Sequence, residues 1–225
     1  MNDISSGLFV TGTDTGVGKT YVSAGIATAL IYRCVDVGVM KPAETGCSMR
    51  AGRLVPKDAL RLMKSACVKD PLSLVNPYRF RRPLAPAVAG EREGKTIDPL
   101  MIISAFQKLS RRHEFMIVEG AGGIMAPLSG KYTYLDLAKK LDLPVLIVSR
   151  PGLGTINHTL LTIEALRGRK ISIAGIVINY AQDVKSGLAE KSSPVAIEKI
   201  SGIRIVGIIS HGSGRFDDLL NGIIQ

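Results

Sequence analysis

Short, unbroken apolar runs alternate along most of this chain with longer stretches of helical spacing. GLFVT (7–11) is the first run and ends at a glycine-rich turn, and YVSAGIATALIY (Tyr21–Tyr32) follows with the length and alanine content of a helix. VDVGVMK (Val35–Lys41) predicts a second strand, and ALRLMKSA (Ala59–Ala66) a short amphipathic helix with Asp58 near its start. Pro71–Asp98 is rich in proline and arginine and predicts loop with short pieces of structure. Beyond it, Leu100–Arg112 returns to helical spacing, FMIVEG (115–120) reads as a buried strand running into AGG, and Tyr134–Leu141 as a helix. PVLIVS (144–149), ISIAGIVINY (171–180) and IRIVGII (203–209) are three more strands, separated by helices over Thr155–Arg167 and Val195–Ile200. Strands that are apolar at every position, rather than at every second one, are covered on both faces. The pattern therefore predicts an α/β fold, a three-layer parallel sheet with helices on both faces. No internal repeat, low-complexity tract or linker divides the sequence, so residues 1–225 are expected to form one domain.

Ligands on such sheets bind beyond the carboxyl ends of the strands, and the polar residues worth attention follow strands here. GTDTGVGKT (Gly12–Thr20) comes after the first one. It resembles a phosphate loop, Gly-x4-Gly-Lys-Ser/Thr, with five residues instead of four between its outer glycines. Gly16 and Gly18 let the backbone turn its N–H groups toward phosphate oxygens, with Val17 between them. The next helix, opening at Tyr21, offers its positive end to the same anion. Lys19 supplies charge for the β- and γ-phosphates, and the Thr20 hydroxyl is a Mg²⁺ ligand of the usual kind. Two carboxylates fit the same ion: Glu119, ending FMIVE beside Gly120, Ala121, Gly122 and Gly123, and Asp58, which fits an ordinary helix N-cap equally well. Lys41 ends the second strand across the crevice from the loop. Its position suits either a surface lysine or a cation that stabilises a transferring phosphoryl group. The fold expectation sharpens to a P-loop NTPase-like sheet.

Composition removes several alternatives. No apolar run in the 225 residues reaches the roughly 18 needed for a membrane helix. MNDISSGLFV carries neither a basic n-region nor a long apolar stretch, so no signal peptide is expected. Cys34, Cys47 and Cys67 form no CxxC pair and read as reduced thiols of a cytoplasmic protein without a structural metal. The net charge of +10 raises the question of nucleic acid, but the basic residues are dispersed. The densest group, RFRRP (79–83), reads as a solvated loop or dimer edge. The charge fits an enzyme of anionic small molecules that binds neither nucleic acid nor membrane. The three histidines are scattered, and His158 reads as a core or helix-capping residue.

The loop together with MKPAETG (40–46), PKDAL (56–60), VNPY (75–78), VEGAGG (118–123), LPVLIV (143–148) and GLGTINHTLLT (152–162) resembles the dethiobiotin synthetases of biotin biosynthesis. The resemblance runs from the first strand to Asn179 and is weaker beyond it. That family's phosphate loop carries the same extra residue, so the offset is a family trait. The resemblance implies ATP- and Mg²⁺-dependent carboxylation and ring closure of 7,8-diaminononanoate with CO₂. The products are dethiobiotin, ADP and phosphate, reached through a carbamate and a carbamic-phosphoric anhydride.

It implies Thr20, Asp58 and Glu119 as Mg²⁺ ligands and Lys41 as the catalytic residue near the carbamate and γ-phosphate. Nucleotide binding falls to Gly16, Val17, Gly18, Lys19, Thr20, Tyr21, Asp58, Glu119, Gly120, Ala121, Gly122, Asn179 and Tyr180, with Asn179 reading adenine. Thr15, Thr45 and Gly123 meet the substrate, and Gly152, Leu153 and Asn157 reach its tail from the partner subunit of a homodimer. The chain departs from relatives at Gly16, where some carry an acidic residue, at Tyr180, and at SHGSG (210–214). Partition-type switch ATPases share the architecture, but their loop reads K-G-G-x-G-K-T, and Asp14 stands where their signature lysine would be. Cobyrinate amidases would need a further glutaminase domain, for which this length leaves no room.

Overall fold

The computed structural model describes residues 6–183, 186–214 and 216–223; the first five residues of the stretch read for a signal peptide lie outside these. The chain opens with β1 (Ser6–Gly12), α1 (Lys19–Tyr32), β2 (Val37–Met40), β3 (Ala43–Glu44), β4 (Ser48–Arg50), β5 (Arg53–Val55) and α2 (Lys57–Ser65). It continues through α3 (Leu72–Val75), β6 (Tyr78–Arg79), α4 (Pro86–Arg92), α5 (Pro99–Ser110), β7 (Phe115–Gly123), β8 (Pro127–Ser129), β9 (Tyr132–Thr133) and α6 (Tyr134–Leu141). It closes with β10 (Val145–Ser149), α7 (Thr155–Gly168), β11 (Ile173–Asn179), α8 (Leu188–Ser201), β12 (Ile205–Ile209) and α9 (Asp217–Ile223).

Six of these strands form one parallel sheet in the order β12-β11-β10-β1-β7-β2, covered by helices on both faces. The central strands are buried without interruption, as their unbroken apolar runs require. Phe9, Val118 and Val145 meet across three neighbouring strands and are fully buried. Helix α1 is alanine-rich and buries residues round most of its circumference, packing with α2 and α9. Among the described residues no helix is long and apolar enough to cross a membrane.

Several boundaries move from the expected ones. β2 begins at Val37 rather than Val35, with the Asp36 carbonyl accepting from Glu114 and Phe115 at the entry to β7. Pro71–Asp98, expected as loop with short pieces of structure, holds α3, β6 and α4; the last is the run PAVAGER opened by a proline at its first turn. RFRRP is not a solvated loop throughout. Arg79 lies in β6, which pairs with β3, and Phe80 is fully buried. Helix α8 starts at Leu188 and carries Pro194 inside it; the hydroxyls of Ser192 and Ser193 donate to the carbonyls of Leu188 and Ala189. α9 has no counterpart among the expected elements.

Candidate active site

The loop between β1 and α1 is shaped by its glycines. Gly16 and Gly18 have φ of +77° and +90°, which only glycine adopts without strain. Gly18 is also crowded: a Cβ there would lie 2.1 Å from Asn179 Nδ2. Asn179, the last residue of β11, donates from that nitrogen to the Val17 carbonyl at 2.8 Å, and thus holds the loop from behind. Gly18 caps α1 without a side-chain hydrogen bond, which leaves the first-turn N–H groups available to an anion. The Asp14 carboxylate accepts from the Thr15 amide at 2.7 Å and lies 4.0 Å from Arg150.

Lys19 donates to the Asp14 carbonyl at 3.0 Å. Burial, reinforced by the nearby Lys41 charge, pushes its pKa down to about 8. Two neighbouring strands supply the opposite wall. Glu119 lies inside β7 rather than at its end, paired with Val10 and fully buried. Immediately after it the register slips. Gly12 pairs with Gly123, so Gly120, Ala121 and Gly122 bulge opposite Thr11 alone. Gly122, at φ +66°, makes that bend.

Lys41, one residue past β2, reaches across to this wall. Its Nζ donates to Glu119 Oε1 at 2.5 Å and to the Gly120 carbonyl at 3.2 Å, and lies 3.4 Å from Asp58 Oδ2. Burial opposes the ammonium charge, but the Glu119 and Asp58 carboxylates outweigh it and hold the Lys41 pKa above the usual lysine value. The Thr20 hydroxyl donates to the same Glu119 oxygen at 2.8 Å, while Oε2 of Glu119 is buried with no protein partner. Thr20, Asp58 and Glu119 thus present oxygen donors only, with one buried carboxylate oxygen free, which suits a hard cation completed by phosphate oxygens. Among the described residues no group of three or more His, Cys, Asp or Glu could hold a metal unaided.

These residues line one cleft of about 640 Å³. It gathers Thr15, Gly16, Gly18, Lys19, Thr20, Tyr21, Lys41, Thr45, Asp58, Glu119, Ala121, Gly122 and Gly123 from the sequence reading. Val17 and Gly120 do not line it; the Val17 carbonyl accepts from Asn179 behind the loop, and the Gly120 carbonyl accepts from Lys41. Asn179 touches the loop from outside the cleft, and Tyr180 follows it with its N–H on the Ile209 carbonyl at 2.9 Å. Gly152, Leu153 and Asn157 are not part of this cleft; Leu153 is 89 % exposed. His158 is half-buried in the first turn of α7, its carbonyl accepting from Thr162.

Sequence reasoning missed other wall residues: Glu44, Arg61, Ala126 and the apolar run Pro83–Pro86. Asp58 is not a helix N-cap either. Pro56 holds that position, and the Glu44 carboxylate accepts from the Asp58 and Ala59 amides at 3.0 and 2.9 Å. Glu44 sits within the quoted MKPAETG segment, so its signal was present but unassigned. SHGSG contributes a backbone acceptor: the Tyr21 hydroxyl donates to the Ser213 carbonyl, and Tyr21 stacks edge-on against Phe216 at 5.6 Å.

A parallel sheet with a glycine-turned phosphate loop between its central strand and an uncapped helix defines a P-loop nucleotide-binding protein. Solved structures of that class share the fold. The MinC:MinD cell division protein complex of Aquifex aeolicus aligns with TM-score 0.58 at 18 % identity, over 96 % of this chain and 86 % of that one. A ParA family ATPase from Chlorobium tepidum aligns with TM-score 0.57 at 16 % identity, over 97 % and 90 %. A family model described as an AAA domain matches residues 6–213. Far closer in sequence is the ATP-dependent dethiobiotin synthetase of Thermodesulfovibrio yellowstonii, 41 % identical over 92 % of this chain and 90 % of that protein. The Bacillus licheniformis protein of the same name is 44 % identical over 90 % of this chain and 84 % of its own length. The chain belongs to the dethiobiotin synthetase family.

Proposed function

We propose that this chain forms dethiobiotin from 7,8-diaminononanoate, CO₂ and ATP, with Lys41 as its catalytic residue and the cleft described above as its site. The observation that carries the reading is Lys41, buried and charged, set between Glu119 and Asp58 and facing the phosphate loop across one cleft. One amine of the substrate takes up CO₂ and loses a proton to give a carbamate. A carbamate oxygen then attacks the γ-phosphorus as the bond to ADP breaks. The second amine attacks the carbamate carbon, phosphate leaves, and a cyclic urea closes. A carbamate is a weak nucleophile, so positioning and charge neutralisation carry the rate. Lys19 and the loop amides hold the phosphates, and the Lys41 ammonium offsets charge on the transferring group.

Thr20, Asp58 and Glu119 would hold Mg²⁺, which neutralises phosphate charge when bound. Thr15, Thr45, Gly122 and Gly123 line the substrate side. Gly152, Leu153 and Asn157 are assigned to the substrate tail from a second copy of the chain, in a cytoplasmic homodimer. Asn179 and Tyr180 are assigned to the adenine end.

The test is phosphate release with ATP and Mg²⁺, adding the diamine and bicarbonate separately and then together. Release that needs both, with dethiobiotin found by mass, supports the reading. Release that ignores both and rises with DNA or a protein partner would replace it with a switch ATPase.

A further inference from the structure

The segment VNPY (75–78) has so far been given no role, yet it makes the closest backbone contacts to Lys41. Among the described residues β2 is the edge strand of the sheet and pairs with β7 alone. Lys41 therefore leaves the ladder with no neighbouring strand on its outer side, and Pro42 follows it. The end of α3 fills that place. The Lys41 amide donates to the Val75 carbonyl at 2.8 Å, and the Lys41 carbonyl accepts from Asn76 Nδ2 at 2.7 Å. The same nitrogen reaches the Tyr78 carbonyl at 3.3 Å, and the Tyr78 amide donates back to the Pro42 carbonyl at 3.3 Å. Asn76 is fully buried, does not line the cleft, and leaves its own Oδ1 without a protein partner. A buried amide side chain is costly unless it is used. Here it ties the Lys41 carbonyl to the end of α3, while Val75 ties the amide on the other side of the same Cα.

We propose that Asn76 is a positioning residue for Lys41, acting through its backbone; the assignment rests on the proposed role of Lys41. A lysine carries four carbons between Cα and Nζ, so a small turn of its backbone becomes a large displacement of the charge. Displacements near 1 Å in an active site cost on the order of 100-fold in rate. Asn76→Leu keeps the size and removes both donated hydrogen bonds, without burying a charge.

The test is a double-mutant cycle with Lys41→Ala, read by kcat, KM for ATP and the affinity of a fluorescent ATP analogue. Amide hydrogen exchange at Lys41 is followed in the substrate-free chain. The expected result is a kcat loss of roughly 10- to 100-fold for Asn76→Leu. Nucleotide affinity stays within about twofold, and no further loss appears in the Lys41→Ala background. Exchange at the Lys41 amide accelerates by at least roughly tenfold. Equal losses in both backgrounds, or an unchanged Lys41 exchange rate, would overturn the proposal and leave Asn76 as packing. If Asn76→Leu does not fold, Asn76→Ser replaces it in the same cycle. A wild-type chain that makes no dethiobiotin removes the reaction assigned to Lys41, and the exchange measurement then decides on its own whether Asn76 holds that backbone.

Discussion

Removing Lys41 should destabilise the chain heavily before any chemistry is considered. The Lys41 side chain is 4 % exposed and that of Glu119 0 %, with 2.5 Å between the charged atoms. In Lys41→Met the Glu119 carboxylate stays buried, with only the Thr20 hydroxyl on one oxygen and nothing from the protein on the other. Breaking a buried pair from one side costs about 3–5 kcal/mol. For a chain of this size that lowers the melting temperature by roughly 6–20 °C. Glu119→Gln strands less, because Asp58 still lies 3.4 Å from Lys41 and is itself half-exposed, so roughly 1–3 kcal/mol is expected. The double variant Lys41→Met/Glu119→Gln buries no unpaired charge, and should recover at least half of the larger loss. The assay is urea unfolding of all four proteins in EDTA without nucleotide, with equal m-values required before the free energies are compared. Single losses below about 1 kcal/mol that simply add in the double variant would refute the argument, since they would mean that water reaches the pair.

Two further outcomes follow from the geometry. Gly18→Ala meets both a left-handed backbone and the Asn179 amide, whereas Gly16→Ala at φ +77° has open space around its new Cβ. The first should cost about 2–3 kcal/mol and the second about 1–2, measured by urea unfolding, and equal costs would show that Asn179 moves away freely. The second outcome concerns His113, bonded at 3.0 Å to Asp36 and 2.8 Å to Asp70. Burial alone would lower its pKa, but the two carboxylates outweigh that and raise it, while Asp70 is lowered because its bonds to His113 and Arg112 outweigh its own burial. A raised histidine stabilises fully below its unfolded pKa of about 6.5 and loses that contribution as pH climbs through the higher folded value. The lowered Asp70 acts in the opposite sense, contributing fully above about 3.9 and losing its contribution as pH falls through its folded value. His113→Gln should therefore flatten the fall in melting temperature above neutrality; an unchanged slope would exclude this contact as its source.

The sheet was legible because its strands are apolar runs, the central ones buried on both faces. The helix expected over Tyr134–Leu141 has those bounds in the fold, where Thr133 and Asp136 close a capping box at its start. The loop, Lys41 and Glu119 were singled out as polar residues after strands, and Asp58 as a residue near a helix start; the fold brings all of them to one cleft. What failed was of another kind. The helix expected over Val195–Ile200 begins earlier, at Leu188, and takes in Pro194, while the serines beside that proline donate to the preceding turn. Glu44 was given no role, because its work of capping α2 depends on a contact across the chain that no local pattern records. The wall at Pro83–Pro86 enters the cleft only because β6 pairs with β3.

The strand order has a further consequence. β2 and β7 are neighbours in the sheet, yet everything from Lys41 to Glu114 lies between them in sequence. That one excursion supplies Lys41, Glu44, Thr45, Asp58, Arg61 and the proline wall, while the phosphate loop sits wholly outside it. The chain is thus divided like a tool with a fixed handle and an exchangeable head. The sheet and its loop form the phosphate side of the cleft, and a single contiguous segment, entering and leaving at adjacent points on one rim, supplies most of the facing wall, which Glu119, Ala121, Gly122, Gly123 and Ala126 complete. Such a segment can lengthen, shorten or be replaced over evolutionary time without a single strand of the handle changing place.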